Sequence, residues 1–318
     1  MKRIKIDSNL TLSVKSFNTN LFADKDKRFV KPKEKLKILF NNLVINNQKN
    51  YLDKILKEYD SLLNLKPSEF SQKKQEFDAI YIIDNIEGSE STIFAKKIVE
   101  ALRYDEYRDS QYPKLINSLK WNLKVCFYCN YAGTLTIKEG KKYKAYYDLD
   151  HVLPKSLYPF LATTFFNFIP VCASCNRKKS NKIINNLNPF YEDTEKGVGL
   201  GKIFEITKES KAQFYLDFDK NQIEIKISDK INKITTTDFN EVVNLESLYN
   251  TQKDEAEEIL WKKRIYTKEY ISTIQSSFSS LKLKEKEINR FLWGTDLDED
   301  KINDKPLAKF KIDLINEI

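Results

Sequence analysis

The chain has 318 residues, 41% of them hydrophobic and 31% charged, which is the balance of a globular protein built as one large domain or two to three small ones. Its apolar runs fall far short of the roughly 20 residues that cross a bilayer, and no apolar stretch follows the basic start Met1-Lys2-Arg3, so a cytoplasmic protein with no membrane partner is expected. A formal net charge of +8 favours a polyanionic partner but does not prove one, because an AT-rich genome also raises lysine content.

Along the chain, Ile4, Ile6, Leu10, Leu12 and Val14 alternate as a strand does, and residues 23–37 form a basic stretch around Pro32. Leu52, Ile55, Leu56, Tyr59, Leu62 and Leu63 then fall at helical spacing, as do Ile93, Phe94, Ile98, Val99 and Leu102. Leu115, Leu119 and Trp121 carry the helical pattern to the first cysteine. Asn188-Pro189-Phe190 reads as a turn. Strands are expected at 203–207, 213–219 and 222–227, the last two joined by a hairpin at Asp219-Lys220-Asn221. From Asp238 onward helices return, with Val242, Leu245, Leu248, Tyr249, Ala256, Ile259 and Leu260 on the core side, and the charged run from Asp296 to Lys305 reads as solvated surface. The expected organisation is α+β: a mainly helical region (1–121), a cysteine-bearing module (122–192), and a β-hairpin plus helical region (193–318).

All four cysteines lie in two CxxC pairs, Cys126 with Cys129 and Cys172 with Cys175, on either side of the only histidine, His151. In a reducing compartment such pairs indicate metal rather than disulfides. Four thiolates make a closed tetrahedral shell, so the expected ion is a structural Zn²⁺ that ties together the two ends of the intervening segment.

Between the pairs runs Leu149-Asp150-His151-Val152-Leu153-Pro154-Lys155-Ser156, then Asn167 ahead of an apolar strand, then Cys175-Asn176-Arg177-Lys178-Lys179. This segment resembles the HNH, or ββα-metal, nuclease family. The LDHxxPKSxYPxLA run from Leu149 to Ala162, the PxCxxCNxxKS run from Pro170 to Ser180 and the Asn188-Pro189-Phe190 turn are similar to the nuclease subunits of Septu-like and retron-linked anti-phage systems. The resemblance implies a ββα-metal module, Asn167 as the structural asparagine that orients the histidine, and Asn176 at the last position of the motif. It also implies an antiviral role beside a partner ATPase, since no credible nucleotide-binding loop exists in the chain.

The chemistry follows from what phosphodiester hydrolysis requires: an activated water, neutralised charge and help for the leaving oxygen. His151 is the only imidazole available as base. Asp150 and Asn176 supply one charged and one neutral oxygen to a hard catalytic cation, Mg²⁺ or Mn²⁺, with Asp148 as an alternative ligand. Lys155, Arg177, Lys178, Lys179 and Lys182 form a basic set for substrate phosphates. Nucleic acid is the expected partner, with DNA favoured and RNA open. A stand-alone restriction-type enzyme, an HNH ribonuclease and a non-catalytic zinc-ribbon module are the alternatives. The glycines Gly197, Gly199 and Gly201 precede a strand rather than follow one, and Ile203 stands where a phosphate loop needs Ser or Thr. Asp219 and Glu224-Ile225-Lys226 read as alternating polar positions on an exposed hairpin.

Overall fold

The computed structural model describes residues 4–120, 123–183, 191–192, 202–227, 240 and 242–317. Trp121, the Asn188-Pro189-Phe190 turn, the three glycines at 197–201 and Asp238 lie outside them. The architecture is mixed α+β, mostly helical with small two-stranded sheets.

The alternation at the start yields only a two-residue strand, β1 (Ile4–Lys5), and then a helix, α1 (Ser8–Thr19). Asp7 ends the strand by accepting a hydrogen bond from the Leu10 amide at 2.7 Å, which caps the helix. Leu10 and Val14 satisfy period two and an i, i+4 helical stripe equally; Leu12 decides between them, since it points to solvent. Within the basic stretch Pro32 opens α2 (Pro32–Asn42), the position at which its missing amide costs nothing. The two expected stripes are α3 (Asn46–Leu63) and α5 (Glu90–Ala101), burying Leu52, Ile55, Tyr59, Phe94 and Ile98.

Between these two helices, α4 (Phe70–Asp78) is clamped to α3 by a closed ring of four charges. Lys54 meets Glu58 at 2.7 Å and Glu76 at 3.0 Å, and Lys73 meets the same two carboxylates at 2.9 and 2.8 Å. Lys73 and Lys54 hold the Glu76 carboxyl down at about 2, against an ordinary 4.5. A carboxyl depressed in the folded state adds stability above its unfolded pKa and loses it as pH falls toward the folded value. Glu76→Gln is therefore expected to cost about 1 kcal/mol at pH 7, measured by urea unfolding. The gap between variant and parent should close on acidification from about pH 4.5 to 2; a gap that widens in that window would contradict the ring.

After α5, Arg103 at φ +58° turns the chain into a short helix, α6 (Tyr104–Glu106), a π-helical turn (Tyr107–Gln111) and α7 (Tyr112–Ser118). Two antiparallel ribbons follow. The first is β2 (Leu135–Glu139) with β3 (Lys142–Tyr146), turning at Gly140, which takes φ +61°. The second is β4 (Asp148–His151) with β5 (Phe168–Val171), which leads directly into α8 (Ala173–Lys179). A further two-residue strand, β6 (Tyr191–Glu192), pairs in parallel with β1.

In the carboxy-terminal part, the expected strand at 213–219 is instead helical. β7 (Phe204–Ile206) pairs with β8 (Ile225–Ile227), and α9 (Lys208–Asp217) lies between them. Thr207 caps α9 by accepting from the Ser210 amide, Phe214 is buried, and Leu216 and Phe218 are left exposed. The expected hairpin at Asp219 is a 3₁₀ turn in which the Asp219 carboxylate accepts from the Asn221 amide at 2.9 Å.

The remaining helices are α10 (Leu245–Tyr249), α11 (Lys253–Ile265), α12 (Lys268–Ser277), α13 (Glu285–Trp293) and α14 (Ala308–Glu317). Leu245, Tyr249, Ala256, Ile259 and Leu260 are buried as expected, and Val242 and Leu248 are half-buried. The run from Asp296 to Lys305 is not simply solvated surface. Ile302 is buried within it, and the carbonyls of Ile302 and Asn303 accept from Asn130 Nδ2 at 3.0 Å and the Lys124 amide at 3.1 Å. Buried side chains from Ile6 to Ile315 join in one apolar core. Among the described residues no helix is long and apolar enough to cross a membrane.

Candidate metal centre and adjoining cleft

The first CxxC pair sits in a tight knuckle. Val125 bridges to Gly133, the Cys126 amide donates to Ala132 O at 2.8 Å, and the Asn130 amide donates back to Cys126 O at 2.7 Å. Closing the knuckle requires φ +50° at Asn130, a conformation asparagine tolerates better than most residues. The second pair frames the start of α8: Cys172 precedes it and Cys175 lies in its first turn.

All four Sγ atoms lie within 4.8 Å of one another. A tetrahedron with Zn–S bonds near 2.3 Å has S···S edges of about 3.8 Å, so a small contraction around an ion suffices, and the set can hold a metal such as zinc. The Cys172 amide donates to Cys126 Sγ at 3.2 Å, a contact that favours a thiolate. Burial pushes the Cys126 thiol up, while hydrogen bonds from Cys126 hold Cys129 and Cys172 down. A divalent ion relieves such crowding by displacing the shared protons.

The knuckle is also fastened to the rest of the chain. Asn130 Oδ1 accepts from the Lys309 amide at 3.0 Å, and Tyr249 donates to Cys129 O at 2.6 Å.

From this anchor the β4–β5–α8 unit presents its polar residues. Asp148 and Asp150 alternate onto the face of β4 that meets α8, where Asn176 and Lys179 stand one turn apart. Asn176 Nδ2 donates to Asp148 Oδ2 at 3.0 Å. Lys179 Nζ donates to Asp150 Oδ1 at 3.1 Å and to His151 O at 2.7 Å, and Tyr128 donates to Asp150 Oδ2 at 2.6 Å. Burial pushes the Asp150 carboxyl up and the Lys179 ammonium down, and their mutual attraction opposes both shifts.

His151 takes the opposite face, its ring 4.7 Å from that of its cross-strand partner Phe168 and 5.1 Å from Tyr104. Its Nε2 lies 3.3 Å from Ala162 O. A proton held there as a donor leaves the lone pair on Nδ1. Burial, then the Lys155 charge, push the imidazole well below the usual histidine range, which keeps it neutral.

Asn167 is fully buried and ties the loop after His151 to itself. It accepts from the Leu153 amide at 2.8 Å and donates to Leu153 O at 3.0 Å and Leu161 O at 3.2 Å. The Leu161 peptide adjoins the Ala162 carbonyl that meets His151, so Asn167 acts on the imidazole through the backbone.

A cleft of about 1260 Å³ opens over this unit, and Asp148, Asp150, His151, Lys155 and Asn176 all line it. Lys155 Nζ lies 4.7 Å from the centre of the Tyr104 ring.

The structure groups two sets of these residues differently from the order of the motif. The expected basic set on α8 does not face solvent as one group, because Lys179 is 1% exposed and paired with Asp150; the helical period turns it inward beside Cys175 and Asn176. Lys178 Nζ donates to Val243 O at 3.3 Å, and Arg177, Lys178 and Lys182 are exposed but do not line the cleft. Asn176 meets Asp148, the alternative ligand, while Lys179 and Tyr128 occupy Asp150. Tyr104, Tyr128 and Asn130 were not singled out in the sequence, and Tyr249 was expected only as a core residue. Of these, Tyr128 and Asn130 carried a signal, since one lies inside a CxxC pair and the other directly after it.

No protein-family model, curated protein or solved structure matches this chain.

Proposed function

We propose that the chain is a metal-dependent HNH-type endonuclease that hydrolyses nucleic-acid phosphodiesters, with DNA as the favoured substrate. The observation that carries this reading is His151 on a β-hairpin running into the cysteine-tethered α8, its Nε2 tied to a backbone carbonyl and its neighbours Asp148, Asn176 and Lys155 around one cleft. Zn²⁺ at the four cysteines has a structural role, fixing where α8 begins. Asp148 and Asn176 offer carboxylate and amide oxygens at the cleft and would hold a Mg²⁺ or Mn²⁺ ion, which Asp150 joins only if Lys179 and Tyr128 release it. Such an ion supplies charge neutralisation at the scissile phosphate and at the leaving oxygen.

In this reading His151 Nδ1 removes a proton from the attacking water. The water oxygen bonds to phosphorus, the P–O bond to the leaving sugar breaks, and solvent protonates the departing oxygen. Lys155 holds a non-bridging phosphate oxygen. The role as effector of an anti-phage system with a partner ATPase rests on the sequence resemblance. It predicts that a pull-down from the native host recovers an ATPase.

The test is cleavage of supercoiled plasmid and of total RNA by purified protein with Mg²⁺ or Mn²⁺, alongside EDTA and His151→Ala. Loss of about 10²-fold or more in rate in His151→Ala, with zinc content unchanged, is the expected result. Equal cutting by both proteins would refute the assignment.

A second reading is a non-catalytic zinc-bearing binding module, favoured by the way Lys179 and Tyr128 close off Asp150. In that case neither protein cuts, with or without the partner.

A further inference from the structure

The β2–β3 ribbon is not absorbed by the reading above. One of its faces, with Thr136, Lys138, Tyr143 and Ala145, turns toward the body; Tyr143 accepts from Asn117 Nδ2 at 3.3 Å and Thr136 meets the Tyr147 hydroxyl at 3.2 Å. Among the described residues nothing covers the other face. On it Leu135 pairs with Tyr146, Ile137 with Lys144 and Glu139 with Lys142, all of them exposed; Leu135 is 43%, Ile137 41% and Tyr146 48% accessible. From Lys138 to Lys144 four lysines stand against a single glutamate, and Lys141 sits at the tip. Lys144 Nζ lies 5.3 Å over the Tyr146 ring.

Placement separates this ribbon from an ordinary solvated hairpin. β3 ends one residue before β4, and Tyr143, Lys144 and Ala145 line the same cleft as Asp148 and His151. Of these three, Lys144 alone stands on the uncovered face, so a polymer lying against that face meets the edge of the cleft at Lys144.

We infer that the β2–β3 ribbon seats in the major groove of B-form DNA, with Lys141, Lys142 and Lys144 on the flanking phosphates, and so selects duplex DNA over duplex RNA. This rests on the nuclease reading and names its substrate. A two-stranded ribbon, with strands about 4.8 Å apart, fits the roughly 12 Å major groove of B-DNA. The major groove of A-form RNA is too narrow to be read by side chains. The excess of lysines supplies the charge complementarity, and the five residues of each strand span about 17 Å, long enough to reach across the groove.

The test measures binding of full-length His151→Ala protein to a duplex DNA and to a duplex RNA of the same sequence. It uses fluorescence anisotropy over a salt series without added divalent ion. Adding Lys141→Ala, Lys142→Ala and Lys144→Ala is expected to reduce the slope of log affinity against log salt by about 2 to 3. DNA affinity near 0.1 M salt should drop about tenfold or more, and duplex RNA should bind more weakly and respond less. Replacing the same three lysines by arginine should preserve the slope.

An unchanged slope on DNA, or an equal loss on RNA, overturns the inference. The nuclease reading is judged separately. Wild type that cuts plasmid while the alanine variant binds as its parent does would sink only the ribbon. Protein that binds DNA through the ribbon but never cuts would sink only the nuclease.

Discussion

Cys175→Ser is expected to lose its metal and most of the stability of the central module, whereas Ser174→Ala, one residue away and exposed, should behave as wild type. The reason is the position of the cysteine. Cys175 lies in the first turn of α8, a helix of only seven residues, too short to persist without tertiary support. A metal ion on its sulfur would tie α8 to the knuckle carrying Cys126 and Cys129, and Asn130 and Tyr249 fasten that knuckle to the carboxy-terminal helices. Structural zinc sites bind with about 10–16 kcal/mol in isolated peptides, as large as the total stability of about 5–15 kcal/mol expected of a domain. Serine in place of one thiolate forfeits much of that and leaves three crowded sulfurs, two of them buried, sharing protons. Elemental analysis should find one zinc per wild-type chain and much less in the variant, whose melting temperature should fall by about 10 °C or more. Full metal content with an unchanged melting temperature would refute the site.

How much of this could be read from the residues alone varied with what had to be known. The cysteine site was legible, because CxxC spacing fixes two ligands locally and the absence of other cysteines leaves one way to complete the set. The α3 and α5 stripes were legible for a similar reason, since five or more apolar positions at helical spacing leave little ambiguity. Two or three apolar positions did not suffice. Leu10 and Val14 fit either period, and Phe214, Leu216 and Phe218 alternate as a strand does. In both segments a side-chain cap, Asp7 or Thr207, turned the chain into a helix. At the cleft, the motif identified the residues but not their partners. Whether Asn176 meets Asp148 or Asp150 depends on how α8 lies across β4, and nothing in the spacing of the motif encodes that. The burial of Lys179 is the same kind of fact. A run of four basic or amide residues after Cys175 reads as a solvated face until the anchored helix shows which of them turns inward.

Lys179→Met should destabilise the protein by about 3–5 kcal/mol, because it leaves the Asp150 carboxylate buried without its countercharge. Adding Asp150→Asn should restore much of that loss. A neutral amide at 150 can still accept the Tyr128 hydroxyl and needs no ammonium, so the two substitutions should couple by about 2 kcal/mol or more in urea unfolding. Stability and function are expected to part at this point. Lys179 Nζ also donates to His151 O at 2.7 Å, and methionine cannot supply that hydrogen bond. On the nuclease proposed above, the recovered double variant should therefore fold with metal content like that of wild type and still cleave more slowly. If Lys179→Met costs less than about 1 kcal/mol and Asp150→Asn restores nothing, the charge pair does not hold in solution. Asp150 is then free to turn toward the cleft and join Asn176 as the sequence motif alone implies. Strong coupling gives the opposite assignment: Asp150 and Lys179 pin the strand that bears His151, and the carboxylate available to a cleft ion is Asp148.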